Sequence, residues 1–325
     1  MQPDRSTANV LRPRVLSARL CGAILLLLSS FSGLVKAQTT ISVTDPVRSS
    51  ANGSYLWVPL TAAGGGGTIA TDATGDVPST KKTYSYQYDY VGTTSQAGFL
   101  IKFGQVAGVD YVGFSLMASL YDTTFSGSYG SFGIGFETNR DGNVDFALNV
   151  NPTGTSNAVI AYEYPTSNAN NGGIVFGGNN NISSTYFDYR AVTNSTDALY
   201  PGWTTLGGQT DAMITFLVPL SAINTALTGA GLSAITSSTL IRLVAFSTTD
   251  KKGLINQDIY GATLSSTAQF DAAGGGYTEY TDLTGRPIPE PATLASVGFS
   301  LLGGLLIWRR RRTSASPWVP AARET

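Results

Sequence analysis

Short runs of β-branched and aromatic residues, each ended within a few positions by Gly, Asn, Ser, Asp or Pro, constrain this chain more than any other feature. They recur at 54–60 (SYLWVPL), 83–91 (TYSYQYDYV), 98–106, 110–121, 131–138, 144–150 (VDFALNV), 158–164, 172–178, 185–192, 211–220, 239–248 and 258–264. Runs this short suit strands, which need only one or two covered faces, better than helices. About a dozen strands at this spacing predict an all-β fold, a β-sandwich or jelly roll. One stretch reads differently. Leu220, Ile223 and Leu227 recur at helical spacing before Gly229 and Gly231, which predicts one short helix on the rim. The stretches 62–67, 168–173, 177–181 and 272–277, rich in Gly and Asn or Ala, read as surface loops. No segment repeats at a fixed period, which argues against a solenoid or a propeller.

The two ends read as processing segments. Residues 1–37 carry Arg5, Arg12, Arg14 and Arg19, then an apolar run from Cys21 to Leu28, then Val35 and Ala37 at the −3 and −1 positions before Gln38. This order predicts a secretory signal peptide cut between Ala37 and Gln38. At the other end a proline-rich linker, 285–291, leads into Ala292–Trp308, an apolar run of seventeen residues, followed by Arg309, Arg310, Arg311 and Arg312. At 1.5 Å per residue the run reaches about 25 Å, close to the hydrocarbon thickness of a bilayer. The arginines hold its end in the cytoplasm, which leaves the preceding domain outside. The predicted organisation is a signal peptide (1–37), an exported β-sandwich domain (38–284), a linker (285–291), a transmembrane helix (292–308) and a basic cytoplasmic tail (309–325).

Charge and composition narrow the chemistry of the exported part. Between Gln38 and Ile288 there are ten basic and eighteen acidic residues, a net charge of −8, although the whole chain carries only −1. An acidic domain without a basic patch argues against nucleic-acid binding. The chain has no histidine, and its one cysteine is Cys21 in the leader. The exported part therefore has no Ser-His-Asp triad, no Cys-His dyad, no ordinary zinc site and no disulfide. Carboxylate pairs, a Ser-Lys arrangement and oxygen-ligated metals are what remain. Glu137, Glu163 and Glu279 are the only glutamates of this region, and local sequence marks no pair of them as a hydrolase dyad. The expectation is a protein that is not an enzyme.

GFETNRDGNVDFALNV (135–150) is the strongest local motif. Glu137, Asn139, Asp141 and Asp145 stand at positions 1, 3, 5 and 9 of a loop, with Gly142 at position 6 and the Asn143 carbonyl at position 7. Oxygen ligands at alternate positions around a glycine turn can wrap a hard cation such as calcium. Position 12 is Leu148 and the flanks are strand-like, so this is not an EF-hand. The alternative is a metal-free hairpin, since Asp-Gly between alternating strands favours a type I′ turn. In either case Val144, Phe146, Leu148 and Val150 share one face toward the core, and Asp145 and Asn149 point out. A second candidate is the row Tyr84, Tyr86, Tyr88 and Tyr90, which reads either as a sugar-stacking platform or as a core-facing aromatic ladder.

The C-terminal order of Pro289-Glu290-Pro291, a single apolar span and Arg309–Arg312 resembles the PEP-CTERM sorting domain of Gram-negative bacteria that make extracellular polysaccharide. The resemblance implies recognition in the inner membrane by an exosortase, a transpeptidase-like protease, and cleavage near the motif. The domain then remains at the cell surface or in the extracellular matrix. The thirteen residues after Arg312 depart from the family, whose members stop soon after the basic cluster. More loosely, TDATGDV (71–77), the 136–150 hairpin, ITFLVPLSAI (214–223) and LIRLVAFSTTD (240–250) are similar in order to DOMON and family 9 carbohydrate-binding-module sandwiches, which implies a fold more than a ligand. The leading expectation is an exported structural or adhesive protein of a polysaccharide matrix, such as a biofilm. A carbohydrate-binding module protein is the alternative, and a carboxylate-based polysaccharide hydrolase comes third.

Overall fold

Two layers of β-sheet account for nearly all the regular structure. The computed structural model describes residues 39–64, 66–73, 88–120, 131–151, 159–169, 173–182, 186–192, 194–206, 210–248, 258–261 and 276–285. The predicted leader with Ala37 and Gln38, the Pro289–Pro291 motif, the apolar span and the arginine cluster lie outside them, as do Tyr84 and Tyr86. Among the described residues no helix is long and apolar enough to cross a membrane.

The first sheet contains β1 (Val58–Pro59), β2 (Tyr88–Tyr90), β3 (Phe99–Val106), β4 (Val109–Leu120), β9 (Tyr186–Val192) and β10 (Thr210–Pro219). Its order is β1-β3-β4-β10-β9, with β2 paired to the far end of β4. The second contains β5 (Ser131–Glu137), β6 (Phe146–Asn151), β7 (Val159–Ala169), β8 (Gly173–Asn181), β11 (Arg242–Thr248) and β12 (Asp258–Ile259), in the order β12-β11-β5-β6-β7-β8. All the strand pairs are antiparallel. The all-β sandwich expected from the sequence is the observed fold.

Period-two alternation decides what lies between the sheets. Phe99, Ile101, Val112, Phe114, Leu116, Ile214 and Phe216 from the first sheet meet Phe132, Ile134, Phe136, Phe146, Leu148, Val150, Leu243 and Ala245 from the second. The Phe114 and Phe136 rings cross from one sheet to the other edge to face, with centroids 5.8 Å apart. Burying each such side chain contributes about 1.5–3 kcal/mol. With no disulfide available, this packing and the strand ladders hold the domain.

The outer face of the first sheet is also covered. Irregular chain around Val47–Trp57 and Leu199–Trp203 packs on Leu100, Tyr111, Met117, Met213 and Leu217 to form a second apolar cluster. Asp211 anchors this layer, its Oδ2 accepting 2.8 Å hydrogen bonds from Trp203 Nε1 and the Leu206 amide. Burial pushes the Asp211 carboxyl above the usual carboxylate range, opposed by these hydrogen bonds.

The predicted helix is α1 (Leu220–Gly229), with Ile223, Ala226 and Leu227 buried. It stops in a Schellman arrangement. The Leu232 amide donates to Leu227 O at 2.9 Å and the Gly231 amide to Thr228 O at 3.1 Å, with Gly231 at φ +77°.

Residues 276–285 bond both to the chain that follows β1 and to the start of β11. On one side Glu279 N donates to Thr61 O at 2.8 Å and Ala63 N to Tyr277 O at 3.0 Å; on the other Thr278 N donates to Leu243 O and Thr281 N to Ile241 O, each at 2.9 Å. Leu283 is fully buried in the central core.

Three local expectations are corrected. Residues 177–181 form strand rather than loop, because β8 is an edge strand held to β7 by backbone pairing. Val144 does not share the face of Phe146, Leu148 and Val150. It lies against Gly135, where an added Cβ would be 3.0 Å from its Cγ1, because the loop keeps residues before Phe146 out of strand register. Asn149 faces away from the central core as expected, yet is only 4 % exposed.

Candidate functional site

The loop between β5 and β6 is built by Asx chemistry. The Phe136 and Phe146 rings stack at 4.5 Å and close the hairpin, and the Asp145 amide donates to Phe136 O at 2.7 Å. Asp145 Oδ2 accepts from the Thr138 amide at 2.5 Å and the Thr138 hydroxyl at 2.7 Å. Asn139 Oδ1 accepts from the Asp141 amide at 2.9 Å, and Asp141 Oδ1 from the Asn143 amide at 2.8 Å. Short Asx side chains bond to backbone two residues on, which is why this sequence folds locally into a loop. Positive φ falls on Arg140 (66°) and Gly142 (87°), not on Asp141. The Asp141-Gly142 pair therefore does not make a two-residue type I′ turn, which needs positive φ at both positions.

Of the five oxygen-bearing residues singled out in the sequence, the fold brings three together. The Asn139 side-chain amide donates to Asp145 Oδ1 at 2.8 Å and to Asp141 Oδ2 at 3.2 Å, so one neutral NH2 group bridges two carboxylates. Asn143 contributes its backbone amide to the turn. Glu137 turns elsewhere. Among the described residues no group of three or more acidic side chains is arranged to hold a metal ion.

Glu137 ends β5 on the face opposite the central core and is completely buried. Its register partner is Arg242 on β11, with Nε 3.7 Å from Oε2. The Arg242 guanidinium also lies over the rings of Tyr280 and Tyr277, at 4.5 and 5.2 Å, and that of Arg140 lies 5.1 Å from the Tyr280 centroid. The Tyr277 hydroxyl donates to Gly142 O at 3.0 Å, which ties the loop to the 276–285 segment. Burial pushes both tyrosine hydroxyls above their ordinary value, and the Glu137 carboxylate adds to the rise while Arg242 opposes it. Arg140, Arg242, Tyr277 and Tyr280 were not singled out in the sequence. The one available signal was a lone charge, Arg242, inside the apolar run LIRLVAF.

The remaining candidates are dispersed. Tyr90 is fully buried in the central core, its hydroxyl donating to Phe246 O at 2.7 Å, so this ring belongs to the core-facing alternative rather than to a stacking platform. Tyr88 lies in β2 opposite Leu120. Glu279 accepts from Thr61 Oγ1 at 2.8 Å and from the Gly67 amide at 3.2 Å. Glu163 lies in β7 opposite Ala147.

Beyond the sandwich, residues 287–312 match the family model of the PEP-CTERM protein-sorting motif. No curated protein and no solved structure matches the chain. The looser likeness to DOMON and family 9 carbohydrate-binding modules gains no support from these comparisons. The match covers the stretch in which Pro289, Glu290, Pro291 and Arg309–Arg312 were singled out. The chain carries a PEP-CTERM sorting motif, the mark of an exported protein that is targeted to an exosortase, a membrane protease.

Proposed function

We propose that the sandwich is the delivered cargo of this sorting signal and serves as a non-enzymatic, structural or adhesive protein of the cell surface or extracellular polysaccharide matrix. One observation carries the reading: the matched motif starts at residue 287, two positions after Gly285, the last described residue of the fold and a buried one. Cleavage near Pro289 therefore releases the whole sandwich and little else. Two of the three glutamates are engaged in the fold, Glu279 with the 61–67 turn and Glu137 buried against Arg242, which favours a structural role for them. Calcium is the cation we assign to the β5–β6 loop, where it would replace the Asn139 amide between Asp141 and Asp145 and stiffen the hairpin.

The test is the intact mass and location of the protein in cells with and without the exosortase. A mass ending near Pro289, found with the matrix polysaccharide only when the protease is present, is the expected result. A full-length C-terminus in both strains, or a processed form that washes free of the matrix, overturns the reading.

A further inference from the structure

The fold grips the chain almost up to the sorting motif. Leu283 is buried in the central core, and its amide donates to Ser237 O at 3.2 Å. The Gly285 amide donates to Asp282 O at 2.9 Å. A Cβ on Gly285 would lie 2.6 Å from Val58 Cβ and 2.7 Å from Ile101 Cγ2, so the backbone there is pressed onto β1 and β3. Only residues 286–288 separate this anchored glycine from Pro289. Four fully extended steps reach about 14 Å, and seven, to the first residue of the apolar span, about 25 Å. Part of that second distance is taken up by the headgroup layer, about 5–8 Å deep on each side of a bilayer. A protease that cuts near Pro289 in the membrane must therefore work within about 14 Å of a folded β-sandwich.

We propose that the sandwich docks, folded, on the outward face of the exosortase through the rim around Gly285. The proposal rests on the motif being read by that protease. Two exposed features are tied by the chain to the surroundings of Gly285. One is Leu56, which is 50 % exposed and stands two residues before Val58; the other is the turn at Thr236–Ser238, which receives the Leu283 amide. An exposed leucine and exposed hydroxyl groups suit a protein surface. An anionic lipid surface would call for clustered basic residues, and Lys102, next to Ile101, is already paired with Asp45 at 2.8 Å.

The experiment follows the appearance of the cleaved mass over time in producing cells. Leu56→Glu and Ser238→Arg are made separately, each with and without a flexible Gly/Ser insert between Gly285 and Arg286. An insert of about twelve residues adds roughly 20 Å of reach. Both side chains are exposed, so the melting temperature of each variant should match the parent. The docking contact predicts that either substitution slows cleavage by about fivefold with the native tether, the effect of losing one moderate interface contact. It also predicts that the insert restores the rate. Unchanged cleavage in both variants overturns the docking contact, and so does slow cleavage that the insert fails to restore. If the unmodified chain is never cleaved, the reading of the motif itself fails, and the docking proposal falls with it.

Discussion

Arg242 Nε lies 3.7 Å from Oε2 of Glu137, across a strand pair, and the glutamate side chain is wholly buried. Removing one partner of a buried ion pair leaves a charge with nothing to compensate it, at a cost of about 3–5 kcal/mol. Arg242 keeps 24 % of its side-chain exposure, so the lower end applies. Arg242→Ala should lower unfolding free energy by about 3 kcal/mol in a urea titration with an unchanged slope. Pairing it with Glu137→Gln should cost less than the sum of the two single changes. Strict additivity would show that the pair is not coupled.

Two glycines separate contact from conformation. A Cβ on Gly98 would collide with the Val91 carbonyl oxygen, which is backbone and cannot swing aside. Gly98→Ala should cost more than about 3 kcal/mol, at the upper end for overpacking. Gly231 has open space around its Cβ position but sits at φ +77°. Gly231→Ala should cost only about 1 kcal/mol, the strain of a left-handed alanine at a helix end. Thermal melts of the two variants give the comparison, and equal losses would contradict it.

Alkali should unfold the domain. The hydroxyls of Tyr90, Tyr200 and Tyr260 donate to the carbonyls of Phe246, Ala97 and Ala70. Burial above all pushes all three well above the ordinary tyrosine value of 10.0, with Asp258 and Asp72 adding at Tyr90, Tyr55 at Tyr200 and Asp72 at Tyr260. Above pH about 10 the unfolded chain releases these protons and the folded one keeps them. Their contribution is therefore complete below that pH and is lost as the pH rises past it. Tyrosinate absorbance should grow in one cooperative step that coincides with the loss of circular dichroism. A gradual titration of the buried rings in a folded protein would contradict this.

Calcium should raise the melting temperature if it takes the place of the Asn139 amide between Asp141 and Asp145. At a hundred times its dissociation constant a ligand adds about 2.7 kcal/mol. Asp141→Ala should abolish the shift. An identical melt of the parent in calcium and in chelator would remove the metal from the loop.

The central strands were legible because one face of each is pressed on the core, which imposes alternation on runs such as FALNV (146–150). Helix α1 was legible from its apolar spacing and the glycines that end it. The strand at 177–181 was hidden, since an edge strand needs only backbone partners and shows little in its side chains. Within the candidate site, Asn139, Asp141 and Asp145 could be grouped because Asx turns are local chemistry. Glu137 was misassigned to that group, because its partner Arg242 lies more than a hundred positions away and only strand pairing brings them together. The sorting motif is a linear signal and needed no fold to be read.

The ten residues from Gly276 to Gly285 hydrogen-bond to residues 61–63, just after β1, and to 241–243, at the start of β11. A chain that is exported N-terminus first cannot make these bonds until its last folded residues have crossed. At that moment the apolar run beginning at Ala292 is only seven positions behind. The last of these bonds and the arrival of the apolar run are thus timed together by position in the sequence.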